Sequence, residues 1–170
     1  VLPMHEAPQN VEEKRARYSG KHLIFSLGRL VEYKGYEYLI RSAQYVDDNC
    51  HVLIGGKGPL MDDLVALVRE LGLQEKVTFL GFIADEQVAD YFAAADVLCL
   101  SSIWKTEAFA IVQIEAMSCG KPVVSAHIPG SGVSWVNQHG VSGLVVDRED
   151  AYALADAFKR IFASGGCRGS

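Results

Sequence analysis

The chain has 170 residues, 49% of them hydrophobic and 22% charged, enough to bury one core and too few for two domains of ordinary size. Sixteen Lys+Arg against twenty-one Asp+Glu leave a net charge of −5. That balance argues against a protein gripping duplex nucleic acid through a broad basic face. No apolar run reaches the roughly 18 residues of a membrane span, and Val1-Leu2-Pro3-Met4-His5 lacks the basic-then-apolar layout of a signal peptide, so the chain reads as soluble and cytoplasmic.

Residues 1–20, with Pro3, Pro8 and the charged run Glu12-Glu13-Lys14-Arg15, read as a linker or lead-in. A folded domain is expected over 21–163. Its apolar runs are His22–Leu27, His51–Ile54, Val77–Leu80, Val97–Leu100, Pro122–Ser125 and Gly143–Val146, six candidate strands. Helical stripes alternate with them. Tyr36, Leu39, Ile40 and Ala43 form the first; Leu60, Leu64, Leu67, Val68 and Leu71 the second; Val88, Tyr91, Phe92 and Ala95 the third, after a candidate N-cap at Asp85. The segment from Ala108 to Ser118 is apolar on most sides, as a buried helix would be. A last stripe, Ala151, Leu154, Ala155, Phe158, Ile161 and Phe162, follows Asp150. Residues 164–170 read as a tail or a remnant. Near-continuous apolar strands alternating with helices predict an α/β fold, a single Rossmann-like, doubly wound parallel sheet of about six strands.

Cys50, Cys99, Cys119 and Cys167 show no C-x-x-C spacing, and the five histidines form no ligand pattern, so buried free thiols and no structural metal are expected.

In such sheets ligands sit outside the carboxyl ends of the strands, which directs attention to the loops after them. The first, Gly28-Arg29-Leu30-Val31-Glu32-Tyr33-Lys34-Gly35, sets two cations five residues apart before a helix. It reads equally as a diphosphate grip or as a solvated pair in a turn. The second, Gly55-Gly56-Lys57-Gly58-Pro59, has turn glycines, but Met61 stands where a dinucleotide fingerprint needs glycine, and no Gly-Lys-Ser/Thr loop occurs. In the fourth, Glu107 ends the loop after Leu100 and Glu115 lies eight positions later in an apolar stretch. A carboxylate there needs a partner, which a structural bond to Arg or backbone would also supply.

Taken together, these segments resemble the donor-binding half of retaining GT-B glycosyltransferases of the group 1 (family 4) type. The resemblance rests on Gly28-Arg29-Leu30 with Lys34-Gly35, Gly56-x-Gly58-Pro59, Val77-x-Phe79-x-Gly81, Glu107-x-Phe109 with Glu115-Ala116-Met117, Gly120-x-Pro122-Val123-Val124 and Gly140-x-x-Gly143-Leu144-Val145-Val146. It covers about residues 22 to 163 in the family's order. It implies that Gly28, Arg29 and Lys34 hold the donor diphosphate, with Gly56 and Gly58 beside them. It also implies that Glu115 bonds the ribose hydroxyls and that Glu107 faces the transferred sugar. The eight-residue gap spans about 12 Å if helical, enough to pass from a sugar across two phosphates to a ribose. The amides near Phe109, Ala110 and Ile111 would meet the phosphate, and Phe82 and Ile83 fall in the segment near the nucleobase, Phe82 reading equally as core or base contact. Two positions depart from the family pattern. Ser134 replaces a frequent Glu, and Ala110 a frequent Gly, which places one extra methyl near the phosphates.

The resemblance further implies a metal-independent hexosyltransferase without a cofactor, the NDP-sugar being co-substrate. Arg29 and Lys34 would neutralise the departing diphosphate and Glu107 would serve at the sugar. An N-terminal acceptor domain is missing from 170 residues, so this reads as the C-terminal part of a longer enzyme of polysaccharide or glycoconjugate synthesis. The isolated domain is expected to bind a nucleotide sugar with little or no transfer; a peripheral membrane association is kept open for the full enzyme. The alternatives are a non-catalytic nucleotide-binding partner subunit or sensor, and a sugar-nucleotide epimerase on the same fold.

Overall fold

The computed structural model describes residues 18, 20–100, 122–127, 143–147 and 150–164. All six expected strands are present: β1 (His22–Leu27), β2 (Cys50–Gly55), β3 (Val77–Gly81), β4 (Val97–Leu100), β5 (Val123–His127) and β6 (Gly143–Asp147). They form one sheet in the order β3-β2-β1-β4-β5-β6 with every neighbouring pair parallel. Strand β1 coincides with the apolar run that predicts it, because a strand covered on both faces has no reason to alternate with polar residues.

The described helices are α1 (Tyr36–Ser42), α2 (Met61–Glu70), α3 (Asp85–Ala94) and α4 (Ala151–Ser164), with short 3-10 turns at Glu32–Lys34 and Ala43–Tyr45. Asp150, the residue just before the last helical stripe, caps α4, its Oδ1 accepting the Ala153 amide at 2.9 Å. The cap of α3 falls one residue earlier than predicted, on Ala84, whose backbone is extended (φ −65°, ψ 146°). Asp62 and Asp63 in the first turn of α2, and Arg69 in its last, complement the helix dipole. Among the described residues no helix is long and apolar enough to cross a membrane.

Alternate strand residues feed two separate cores, as the two-residue pleat period requires. On one face Ile24, Val52, Ile54, Val97, Cys99 and Val124 pack with Leu39 and Ile40 of α1, Leu64 and Val68 of α2, and Leu154 and Phe158 of α4. On the other, Leu23, Phe25, Leu53, Leu98 and Val123 pack with Ile83 and with Val88 and Tyr91 of α3. Phe25 and Phe158, both fully buried, each contribute about 1.5–3 kcal/mol by transfer from water. Cys50 and Cys99 are buried free thiols, as predicted, and Cys119 and Cys167 lie outside the described residues. Burial pushes the Cys50 thiol up to about 11, with Asp47 adding to the shift, and raises Cys99 as well.

The central pairing of β1 with β4 aligns Ile24 with Val97 and Phe25 with Leu98. Asp96 secures its start: the Asp96 amide donates to the Leu23 carbonyl at 2.9 Å, and its buried Oδ2 accepts the Leu23 amide at 2.8 Å. A backbone group that the neighbouring strand does not reach is thereby satisfied by a charge.

Candidate functional site

The strand order places a topological switch point between β1 and β4: from β1 the chain crosses to β2 and β3 on one side, then returns to build β4, β5 and β6 on the other. Crossover segments diverge there and leave a crevice at the carboxyl ends of the strands. The Gly28–Gly35 loop leaves β1 at this point, and β4 ends beside it at Leu100.

Backbone contacts fix the rim. Gly28 N donates to Gly55 O at 3.2 Å, Leu30 N to Lys57 O at 2.9 Å, Leu60 N to Leu30 O at 3.1 Å and Gly56 N to Gly81 O at 2.7 Å, which ties the loops after β1, β2 and β3 into one shelf. The glycines of the second loop are required by this contact. A Cβ on Gly56 would overlap the Gly28 carbonyl oxygen, and one on Gly58 would lie 2.5 Å from the Leu30 oxygen and 2.6 Å from its nitrogen. Only a residue without a side chain lets two backbones approach so closely.

On this shelf the first loop folds back over itself. The Val31 and Glu32 carbonyls accept the Lys34 and Gly35 amides at 3.1 Å, closing a 3-10 turn that returns the Lys34 side chain to Gly28. A Cβ on Gly28 would stand 3.5 Å from Lys34 Cε and 2.8 Å from the Tyr36 hydroxyl. Gly28, Lys34 and Tyr36 are therefore gathered at one spot. Arg29 is exposed on the same loop, and no carboxylate among the described residues pairs with it. The structure thus brings together Gly28, Arg29, Lys34, Gly56 and Gly58. The Tyr36 hydroxyl is an addition to them; the helical stripe assigned Tyr36 to the core, and its ring is indeed buried.

The segment after β3 divides. Phe82 is 71% exposed, more than any other large hydrophobic side chain among the described residues, so the core reading of that position is corrected. Ile83 is buried against Gly55 in the second core, so its side chain serves packing and only its backbone is available at the rim. Lys57, which the sequence reading passed over, has its Nζ 6.0 Å from the centroid of the Phe82 ring. Its signal in the sequence was a lone cation between two obligatory glycines. Glu107, Phe109, Ala110, Ile111 and Glu115 lie outside the described residues, as does Ser134. Among the described residues no group of three or more His, Cys, Asp or Glu side chains is placed to hold a metal ion.

The sequence pattern of the family described as "Glycosyl transferases group 1" matches residues 9–168. The chain belongs to this family. A relative, the uncharacterized glycosyltransferase MJ1607 of Methanocaldococcus jannaschii, is 34% identical over 148 residues, covering 86% of this chain and 37% of that protein. The D-rhamnosyltransferase WbpZ of Pseudomonas aeruginosa is 34% identical over 153 residues, covering 90% of this chain and 39% of that protein. The crystal structure of Alr3699/HepE from Anabaena in complex with UDP superposes with a TM-score of 0.85 at 25% identity, over 98% of this chain and 47% of that one. The group 1 chain described here therefore spans less than half the length of these proteins, and its fold is that of one GT-B glycosyltransferase domain, as the sequence resemblance implies.

Proposed function

We infer that this domain holds the nucleotide-sugar donor of a retaining, metal-independent glycosyltransferase. The full enzyme would move a sugar from an NDP-sugar to an acceptor hydroxyl in polysaccharide or glycoconjugate synthesis. The observation that carries this reading is the switch-point loop, which carries both Arg29 and Lys34 and is bonded through its backbone to a glycine shelf. Two cations on one loop at the mouth of a parallel sheet suit a diphosphate, and they would stabilise the charge that develops on it as the anomeric bond breaks. The UDP and UDP-glucose complexes of the Anabaena protein support a nucleotide sugar as the ligand class.

In this reading Glu115 bonds the ribose, Glu107 faces the transferred sugar and the amides of Phe109, Ala110 and Ile111 meet the phosphates. The acceptor is bound by a further domain of a longer chain, which also closes the cleft against water. The domain alone therefore binds donor without transferring it, because transfer needs both reactants aligned.

Titration calorimetry of this chain with UDP, GDP and ADP tests the reading. At least one nucleotide binds, and Arg29→Ala or Lys34→Ala weakens it roughly 10- to 100-fold, the worth of a charge-assisted hydrogen bond. Wild-type silence toward all three, or affinity indifferent to Arg29→Ala, refutes it. Retention and metal independence are read from the full-length enzyme, by the anomeric configuration of the product and by turnover in a chelator.

A further inference from the structure

On the outer side of the first core, α1 and α2 lie next to each other and leave a cleft of about 540 Å³ between them. Its floor is apolar. Tyr36 and Leu64 are buried there, whereas Tyr38, Leu60 and Leu67 are half-buried, packed on the core on one side and lining the cleft on the other. Leu60, Leu64 and Leu67 stand at i, i+4 and i+7, one continuous strip along α2.

The walls carry charge of one sign. Glu32 and Glu37 line one side, and Asp63 and Glu70 the other. The single cation of the lining, Arg41, is already held by Glu37, its Nε 3.1 Å from Oε2. Among the described residues no cation pairs with Glu32, Asp63 or Glu70. Such a cleft attracts a cationic partner and repels an anionic one, a nucleotide or an acidic membrane surface included.

Apolar area rimmed by polar groups marks a place of association, and the spacing of the carboxylates narrows the partner's shape. Asp63 and Glu70 are two turns apart on α2, about 10 Å. A helix laid along the cleft repeats its side chains at the same interval. Basic residues one heptad apart then meet both carboxylates, while the apolar residues between them fall on the leucine strip. Ala66, exposed on the same wall, leaves room for a bulky side chain.

We propose that this cleft docks a basic amphipathic helix of a partner protein, its apolar face on Leu60, Leu64 and Leu67 and its Lys or Arg residues on Asp63 and Glu70. The cleft touches the loop after β1 only at Glu32 and Gly35, and the proposal holds whether or not that loop grips a diphosphate.

The probe is a synthetic fluorescein-labelled helix of about 18 residues, with leucines at i, i+4 and i+7 and arginines one heptad apart beside them, titrated with this chain by fluorescence anisotropy. It binds at least about tenfold tighter than a scrambled peptide of the same composition, and added salt weakens it. Asp63→Asn with Glu70→Gln weakens the probe roughly fivefold. Asp47→Asn with Asp62→Asn changes net charge equally but outside the cleft, and alters binding less than twofold. All four side chains are exposed, and Asp62 and Asp63 share the first turn of α2, so both double variants fold and perturb that helix alike. The proposal is overturned if the scrambled peptide binds as well as the helix, or if the two double variants weaken the probe by the same factor. Displacement of the probe by spermidine at equal concentration would make the cleft a site for small cations and overturn it too. So would sedimentation showing a dimer of this chain that Asp63→Asn with Glu70→Gln dissolves, which assigns the cleft to a second copy.

Discussion

Replacing Gly58 by alanine adds one methyl at a place where the fold and the candidate site share the same atoms. The new Cβ would lie 2.5, 2.6 and 2.8 Å from the backbone O, N and C of Leu30, against about 3.5–4 Å for a relaxed contact. The two loops must therefore part by about 1 Å. Leu30 cannot swing aside, since its side chain is fully buried. Its amide is bonded to Lys57 O at 2.9 Å and its carbonyl to Leu60 N at 3.1 Å, and an opening of that size takes both beyond hydrogen-bonding distance. Overpacking costs about 1–3 kcal/mol and two lost hydrogen bonds about 0.5–1.5 kcal/mol each, so Gly58→Ala is expected to destabilise the chain by about 2–6 kcal/mol. Because Arg29 adjoins Leu30, nucleotide affinity should fall at least about tenfold in conditions where the variant is still folded. Urea denaturation and calorimetry with UDP, GDP and ADP read the two effects. A variant within about 0.5 kcal/mol of wild type, with unaltered affinity for the nucleotide it binds, would show that the shelf is not built as described.

Other positions carry independent expectations. Asp96→Ala leaves the Leu23 amide without its 2.8 Å acceptor and should lower unfolding free energy by about 2–3 kcal/mol, with Asp96→Asn nearer 1; equal losses for the two would argue that the charge is irrelevant. His51 is buried, with Nε2 2.7 Å from Thr78 Oγ1, and burial, aided by the Lys21 charge, lowers it to about 4. The folded state thus favours neutral imidazole, so the stability it confers is intact above pH 6.5 and is lost as pH falls from there toward 4. Between pH 7 and 4.5 the wild type should lose about 2–3 kcal/mol more than His51→Gln in urea titrations; parallel losses would refute the assignment. In a chain with Cys119 and Cys167 changed to serine, Cys50 and Cys99, both buried and shifted upward, should resist a disulfide reagent at pH 8 until denaturant is added. Rapid reaction of either in the native state would contradict their burial.

Which parts of the molecule were legible in the sequence follows from how local each determinant is. A strand buried on both faces announces itself by composition, so His22–Leu27 is found end to end, and the cationic loop after it could be located before any coordinates were known. The Asp150 cap was legible too, because the hydrogen bond it makes reaches only three residues ahead. The pairing of Lys57 with Phe82 was hidden, since it depends on β2 lying beside β3, a long-range fact of strand order.

The orientation of Phe82 and Ile83 was hidden for a different reason. Counting by twos along β3, Leu80 packs in the second core, which would send residue 82 to the same face and residue 83 to the opposite one. Instead Ile83 joins Leu80 in the second core and Phe82 faces solvent. The register explains the change: Ile54 pairs with Phe79 but Gly55 with Gly81, so Leu80 is the extra residue of a bulge, and Gly81 takes φ +70°. That left-handed residue shifts the parity by one and aims the ring outward. Gly81→Val should therefore cost about 1–2 kcal/mol for the positive φ, although a Cβ there meets nothing within 4 Å. A Gly81→Val chain with wild-type stability would show that the left-handed residue at the bulge is not what turns the ring outward.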